Sequence, residues 1–350
     1  MRSKADRKLA KVLSRVERTA KLHHSLAEMV KAHLRVIVKS REVSLVKLDP
    51  ALQRSRHVLV TTVYNEAARI PFILKYYRSM GFEHFIVIDN QSDDNLQGLL
   101  AGESGVSIFA AKGSFRLSRF GYDWVNGILS RYCSKKWVLY VDADEFFIFP
   151  HCDKRRISDL TDFMEKNDQD SLQCLMLDMY SNKKIKDNKC GIGEDPLSVC
   201  RLYDRDGYVK QFDPRSETVW IKGGVRGRLY FSDNIWDGPA LNKTPLVFWK
   251  KHYVFLKATH QLWPFRLNGG GVNQRTLRGI LLHFKFLADW TTKVANESVR
   301  QQHTDEYNAY SKSDILMDDG PDFVGPPTAE YQCWRSLEQD GLLDGRAWPI

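Results

Sequence analysis

Cysteine pairs at metal-ligand spacing are missing. Cys133, Cys152, Cys174, Cys190, Cys200 and Cys333 include no Cys-x-x-Cys, which argues against a zinc framework. Free thiols in a reducing compartment are expected. No apolar run approaches the roughly eighteen residues of a membrane span. The first residues are charged throughout and lack the apolar core of a secretory signal, so a cytoplasmic location is expected. Neither Gly-x-Gly-x-x-Gly nor the phosphate-loop motif occurs, which argues against a Rossmann dehydrogenase and a P-loop NTPase. Excess charge is also missing from most of the chain. Residues 1–41 hold twelve Lys or Arg against three Asp or Glu, and this accounts for the whole formal charge of +9. A body without net charge is no nucleic-acid cleft, and no nucleic-acid partner is expected.

What is present centres on Trp137-Val-Leu-Tyr-Val-Asp-Ala-Asp-Glu-Phe-Phe-Ile-Phe149. Trp137 to Val141 read as a buried strand of a parallel sheet. Asp142, Asp144 and Glu145 arrive together at its carboxyl end, and apolar residues follow at once. Carboxylates held near a core need partners or lose their charge. A hard divalent cation, Mg²⁺ or Mn²⁺, is one such partner. A solvated turn or a helix N-cap is the plainer reading of the same residues.

Along the chain, 350 residues suggest about two domains or one elaborated one. Within residues 1–41, Leu9, Val12, Leu13, Val16, Ala20, Met29, Val30 and Leu34 recur at helical spacing between basic residues. The arm reads either as a peripheral anchor on an anionic membrane surface or as a solvated packing helix. Residues 42–56 read as a linker. His57–Glu66 is a β-branched strand ending in polar residues. A helix follows with Ile70, Ile73, Leu74 and Tyr77 on one face, stopped at Gly81. Phe85–Ile88 is a second strand, ending in the polar cluster 89–95. Val106–Ala110 is a third, and a helix is expected from about Leu117 to Tyr132. This alternation predicts an α/β fold, a mostly parallel sheet with helices on both faces. Right-handed crossovers bring the polar clusters 62–66, 89–95 and 142–145 to one sheet edge, where such folds bind ligands.

Val60-Thr-Thr-Val-Tyr-Asn-Glu66, Phe85-Ile-Val-Ile-Asp-Asn-Gln-Ser-Asp-Asp94 and Val141-Asp-Ala-Asp-Glu-Phe146 resemble the nucleotide-sugar motifs of GT-A glycosyltransferases, in the family-2-like and family-92-like branch. Leu281-Leu-His-Phe-Lys285 resembles a C-terminal His motif of that branch. The resemblance covers residues 57–150 well and thins across 170–290. It implies a GT-A-like catalytic domain over 51–295, with a nucleotide-sugar-binding half (57–150) and an acceptor half (151–295). Outside it lie an arm and linker (1–50) and a C-terminal extension (296–350).

The resemblance further implies a nucleotide-diphosphate sugar donor, a UDP-sugar being favoured, with Mn²⁺ or Mg²⁺ as cofactor. Thr62 and Tyr64 would line the nucleoside pocket with Asn65, Glu66, Asn90, Ser92 and Asp93 around them. Asp89 would accept from base or ribose. Arg119 and Asn126 would face the nucleotide from the following helix. Asp142 and Asp144 would hold metal and ribose, and His283 would be a further metal ligand or touch the diphosphate. A core histidine is the alternative for His283.

A sugar transferred to a hydroxyl of a glycan, lipid-linked or envelope acceptor, with inversion, needs a base. Glu217 is the first candidate, with Asp213 and Asp237 as alternatives. Among five tryptophans between 220 and 290, Trp263, near His260, is the expected sugar contact. Two rival readings stand beside the transferase: a metal-dependent nucleotidyltransferase, and an inactive membrane-surface or assembly protein of the same fold.

Overall fold

Alternate residues of the central strands go to two different cores, which sets the layering. Leu59, Phe85, Val87, Ile108, Trp137 and Leu139 lie in one apolar cluster. Val58, Val60, Ile86, Ile88, Val138 and Tyr140 lie in another. A strand of period two buried on both faces needs a cover on each.

The computed structural model describes residues 23–269, 277–290, 292–294, 322–346 and 348. Helix α1 (23–39) opens it. Then come β1 (Val43–Lys47), β2 (His57–Val63), α2 (Ile70–Met80), β3 (His84–Asp89), α3 (Leu96–Leu100) and β4 (Val106–Ala111). Next are α4 (Tyr122–Tyr132), β5 (Lys136–Tyr140), β6 (Glu145–Ile148), α5 (Ile157–Lys166) and β7 (Ser171–Asp178). The second half supplies β8 (Leu202–Asp204), β9 (Tyr208–Asp213), β10 (Thr218–Gly223), α6 (Gly224–Tyr230), β11 (Asn242–Trp249), β12 (Val254–Lys257), β13 (Gln261–Trp263) and β14 (Arg278–His283). A short β15 (Thr328–Glu330) and a helix, Trp334–Gln339, follow.

One nine-stranded sheet, in the order β1-β4-β3-β2-β5-β11-β7-β14-β6, carries the fold. β2, β3, β4, β5, β7 and β14 run one way, and β1, β11 and β6 run against them. Helices α2 and α5 cover one face through Ile70, Ile73, Tyr77, Ile157 and Leu160. Helix α4 covers the other through Trp124, Val125, Ile128 and Leu129. The expected α/β class and the two-faced cover are therefore present. The expected α2 face is the buried one, and Gly81 closes the helix at φ 101°, a left-handed position suited to glycine.

Two boundaries differ from the sequence reading. The stretch 42–56, expected as a linker, adds the edge strand β1, paired antiparallel with β4. The helix expected from Leu117 starts at Tyr122, because Arg119, Phe120 and Gly121 all take positive φ and cannot continue a helix. The two expected halves share one sheet, since β7, β11 and β14 are inserted between β5 and β6.

Beyond the sheet, residues 322–346 pack on the body. β15 pairs with β8, and Trp334 enters the main core. Of the arm, residues 1–22 lie outside the described residues. Among those described, no helix is long and apolar enough to cross a membrane.

Gly279 on β14 tests how tightly the last strands pack. A Cβ there would come 2.7 Å from Phe147 Cε2 and 2.9 Å from Cys174 Sγ. Gly279→Ala should cost about 1–3 kcal/mol by overpacking, read as a lower urea midpoint. An unchanged midpoint would mean that β6, β14 and β7 pack more loosely than described.

Candidate active site

The turn after β5 places three carboxylates where β7 and β14 end and β11 begins. In the sheet register His283 stands opposite Glu145 on one side and Asp178 on the other. The Phe284 amide donates to the Asp144 carbonyl at 2.8 Å, pinning that turn to β14. The carboxylates then divide between two cations.

Lys243, buried on β11, is the first. Its Nζ lies 2.9 Å from Asp142 Oδ2 and also binds Glu145 Oε1. The Asp142 amide donates to Glu145 Oε2 at 3.2 Å. Burial works against the Lys243 charge, but Asp142 and Glu145 more than offset it and hold the ammonium protonated.

His283 is the second cation. Its Nδ1 lies 2.6 Å from Asp178 Oδ1, and its Nε2 lies 3.5 Å from Asp144 Oδ2. Arg226 Nε donates to Asp178 Oδ2 at 2.7 Å, with both side chains buried. Burial pushes the imidazole down, yet Asp144 and then Asp178 raise it to about 9. Burial likewise pushes Asp178 up, but Arg226 and His283 bring it to about 2. Asp144 falls well below the usual carboxylate range against its own burial, through His283, Arg69 and Lys293.

These groups face a cavity of about 610 Å³. Thr62, Tyr64, Glu66, Asn90, Asp142, Asp144, Asp237, His260 and His283 line it, all of them expected site residues. Glu66 is salt-bridged to Arg69 at 2.8 Å and to Lys293 at 2.6 Å. His260 Nδ1 meets the Asn242 carbonyl, and burial followed by Lys243 lowers the ring to about 4, so it is neutral.

The other expected residues do not line this cavity. Asp89 is buried at the end of β3, where Oδ1 accepts from the Ser92 amide and Oδ2 from Gln97 Nε2. Asn65 and Ser92 join the two loops: the Asn65 amide donates to Ser92 Oγ, and Asn65 Oδ1 accepts from the Asp93 amide. They shape the walls without forming them. Arg119 binds Asp123 and the Leu256 carbonyl, and Asn126 bonds the Phe255 amide and carbonyl, so both hold β12 on α4. Glu217, at φ 53°, and Asp213, bound to Ser216, sit at the β9–β10 hairpin turn. Trp263 packs on α1, its Nε1 donating to Ser25 Oγ at 2.8 Å.

Several wall residues escaped the sequence reading. Phe115 and Phe120 meet edge to face, 5.9 Å apart, on the cavity wall. The left-handed run at 119–121 presents them, held by Arg119 and by the Gly121 amide donating to Ser118 Oγ. Lys243 and Arg226 also line the cavity. Asp178 stands behind His283. No local motif marks any of these: Phe115 and Phe120 depend on the left-handed run before α4, and Lys243, Arg226 and Asp178 on elements of the second half brought under the turn after β5.

Among the described residues no group of three or more His, Cys, Asp or Glu gathers as a metal cage. Asp142, expected as a metal ligand, is engaged by Lys243. Asp144 and His283 remain as a two-donor set, with the far imidazole nitrogen oriented by Asp178. One carboxylate oxygen and one oriented imidazole suit a divalent cation that takes its other ligands from water or from a bound anion.

The class defined by fold and site is an α/β protein with a carboxylate-rich cavity at the strand ends of a mixed sheet. No protein-family model matches the chain, and no curated protein sequence matches it. Solved structures do. A mannosyltransferase from Pyrobaculum calidifontis, in complex with GDP-Man and Mn²⁺, is 14% identical over 48% of this chain and 47% of its own, with a TM-score of 0.28. Glucosyl-3-phosphoglycerate synthase from Mycobacterium tuberculosis, with Mn²⁺ and UDP, is 13% identical over 39% of this chain and 49% of its own, at 0.23. A nucleotidyl transferase from Methanothermobacter thermautotroptrophicus is 11% identical over 37% and 63%, at 0.21. The chain thus spans about half the length of the first of these. At such identities and scores the likeness carries no activity across.

Two measurements probe the charge pairing. Lys243→Met leaves two carboxylates without their buried cation and should cost about 3–5 kcal/mol in denaturant unfolding. A loss below about 1 kcal/mol would show that the pair is not charged. His283 is raised in the fold to about 9 from 6.5. Its contribution is complete below the lower value and is lost as pH rises through the higher one. Metal-free protein in chelator should therefore lose up to about 3 kcal/mol of stability across that window, and Asp144→Asn should flatten the fall. A flat wild-type profile would mean that His283 is neutral.

Proposed function

We propose that this chain is a GT-A-like glycosyltransferase that moves a sugar from a nucleotide-diphosphate donor, by resemblance a UDP-sugar, to a hydroxyl of a glycan or lipid-linked acceptor. The observation that carries the reading is convergence. Polar residues from the ends of β2, β3 and β5 share one cavity with His283, which comes from the far side of the sheet.

Phe115, Phe120, Thr62, Tyr64 and Asn90 suit a nucleoside, which wants ring stacking and hydrogen bonds. Asp144 and His283 would hold Mn²⁺ or Mg²⁺, which when bound neutralises charge on a leaving diphosphate. Asp142, braced by Lys243, is then left to accept from sugar or ribose hydroxyls. In this reading the acceptor oxygen bonds to the anomeric carbon as the bond to the diphosphate oxygen breaks, and the acceptor proton goes to a carboxylate. Asp237, at the cavity rim, takes that role in place of Glu217 or Asp213, which lie at the hairpin turn. Attack opposite the leaving group inverts the sugar.

Product analysis tests the activity. Incubation with nucleotide sugars and Mn²⁺ should release nucleoside diphosphate. Release of pyrophosphate from a nucleoside triphosphate and a sugar phosphate would instead make the chain a nucleotidyltransferase. Asp144→Ala should remove Mn²⁺-dependent nucleotide binding by calorimetry while leaving the circular dichroism spectrum unchanged. Equal binding by the variant would sink the metal assignment.

A further inference from the structure

Helix α1 carries apolar side chains on two opposite faces. One stripe, Met29, Ala32 and Val36, is turned to the body, with Ala32 fully buried. On that side Trp263 bonds Ser25, and Gly127 of α4 lets Val36 approach to 3.5 Å of where its Cβ would stand. Arg35 fastens the helix, its Nε and Nη2 reaching Asp123 Oδ2 at 3.0 and 2.8 Å. The other stripe is Leu26, Val30, Leu34, Ile37 and Val38, at steps that place them on one side of a helix. These side chains stand in solvent, from 42% exposed at Leu26 to 63% at Val38. A row of five large apolar side chains left open on a pinned helix marks a surface that something covers.

Charge selects what covers it. The arm holds the entire net charge of the chain, and the rest is balanced. A second copy would bring a like-charged arm against this one. A layer of anionic headgroups would neutralise it while the apolar stripe enters the interface. We infer that the outer face of α1 docks on an anionic lipid bilayer, with Leu26, Val30, Leu34, Ile37 and Val38 inserted. The inner face stays on the body, so docking needs no rearrangement of the fold. This surface is separate from the cavity and does not depend on the transferase reading.

Sedimentation of the full chain with vesicles tests it. Vesicles of phosphatidylcholine and phosphatidylglycerol in equal parts should carry the protein down at low salt, and pure phosphatidylcholine should not. Raised salt should weaken binding at least about tenfold, because exposed charges are screened. The double substitution Leu34→Asp with Val38→Asp should weaken it by a similar factor. Both positions are exposed, and an unchanged thermal melt would show that the variant is folded. The wild-type result decides by itself if it is not. Failure of the wild type to sediment with the anionic vesicles overturns the inference, as does equal binding to neutral ones. A dimer in light scattering that the double variant splits also overturns it, making the face an interface between copies.

Discussion

Everything at the strand ends answers to one constraint: three carboxylates in four residues sit against a hydrophobic core and must be neutralised there. Nothing near them in the chain can do it. Asp142 and Glu145 take Lys243 from β11, and Asp144 takes His283 from β14. His283 is in turn steadied by Asp178 and Arg226. Removing one member would leave its partner's charge uncompensated, at a cost greatest for the buried Glu145, Asp178 and Lys243. The register of β6, β14 and β7 is thus tied to an electrostatic requirement as well as to packing.

That requirement also distinguishes the two members of the Asp-x-Asp pair. Asp142 is half-exposed and already has its cation within 2.9 Å. Asp144 shares its partner with Asp178 across a longer gap, so its cation is the more easily exchanged. The asymmetry gives different electrostatic settings to two residues that stand two apart in sequence. On the opposite wall a second fixed element appears. The loop bearing Phe115 and Phe120 is held by Arg119 from within and by Arg35 of α1, which donates to the Leu117 carbonyl at 2.7 Å. The arm therefore braces, from outside the cavity, the loop that carries these two wall residues.

The sequence by itself determined the α/β class, the buried strands, the α2 face with its Gly81 stop, and the gathering of Thr62, Tyr64, Asn90, Asp142 and Asp144 at one edge. Each follows from local periodicity, turn chemistry and the handedness of crossovers, which act over a few tens of residues. Only the tertiary structure decided who neutralises whom. Lys243, Asp178 and Arg226 read as ordinary surface-type residues until β11, β7 and helix α6 from the second half bring them under the turn after β5. The same holds for the expected residues that do not line the cavity. Asp89, Asn126, Glu217 and Trp263 have the right chemistry, but a carboxylate, amide or indole is equally suited to closing a loop or holding a neighbouring strand. Which use a side chain serves depends on the long-range contacts that set its direction, and spacing in the chain does not encode these.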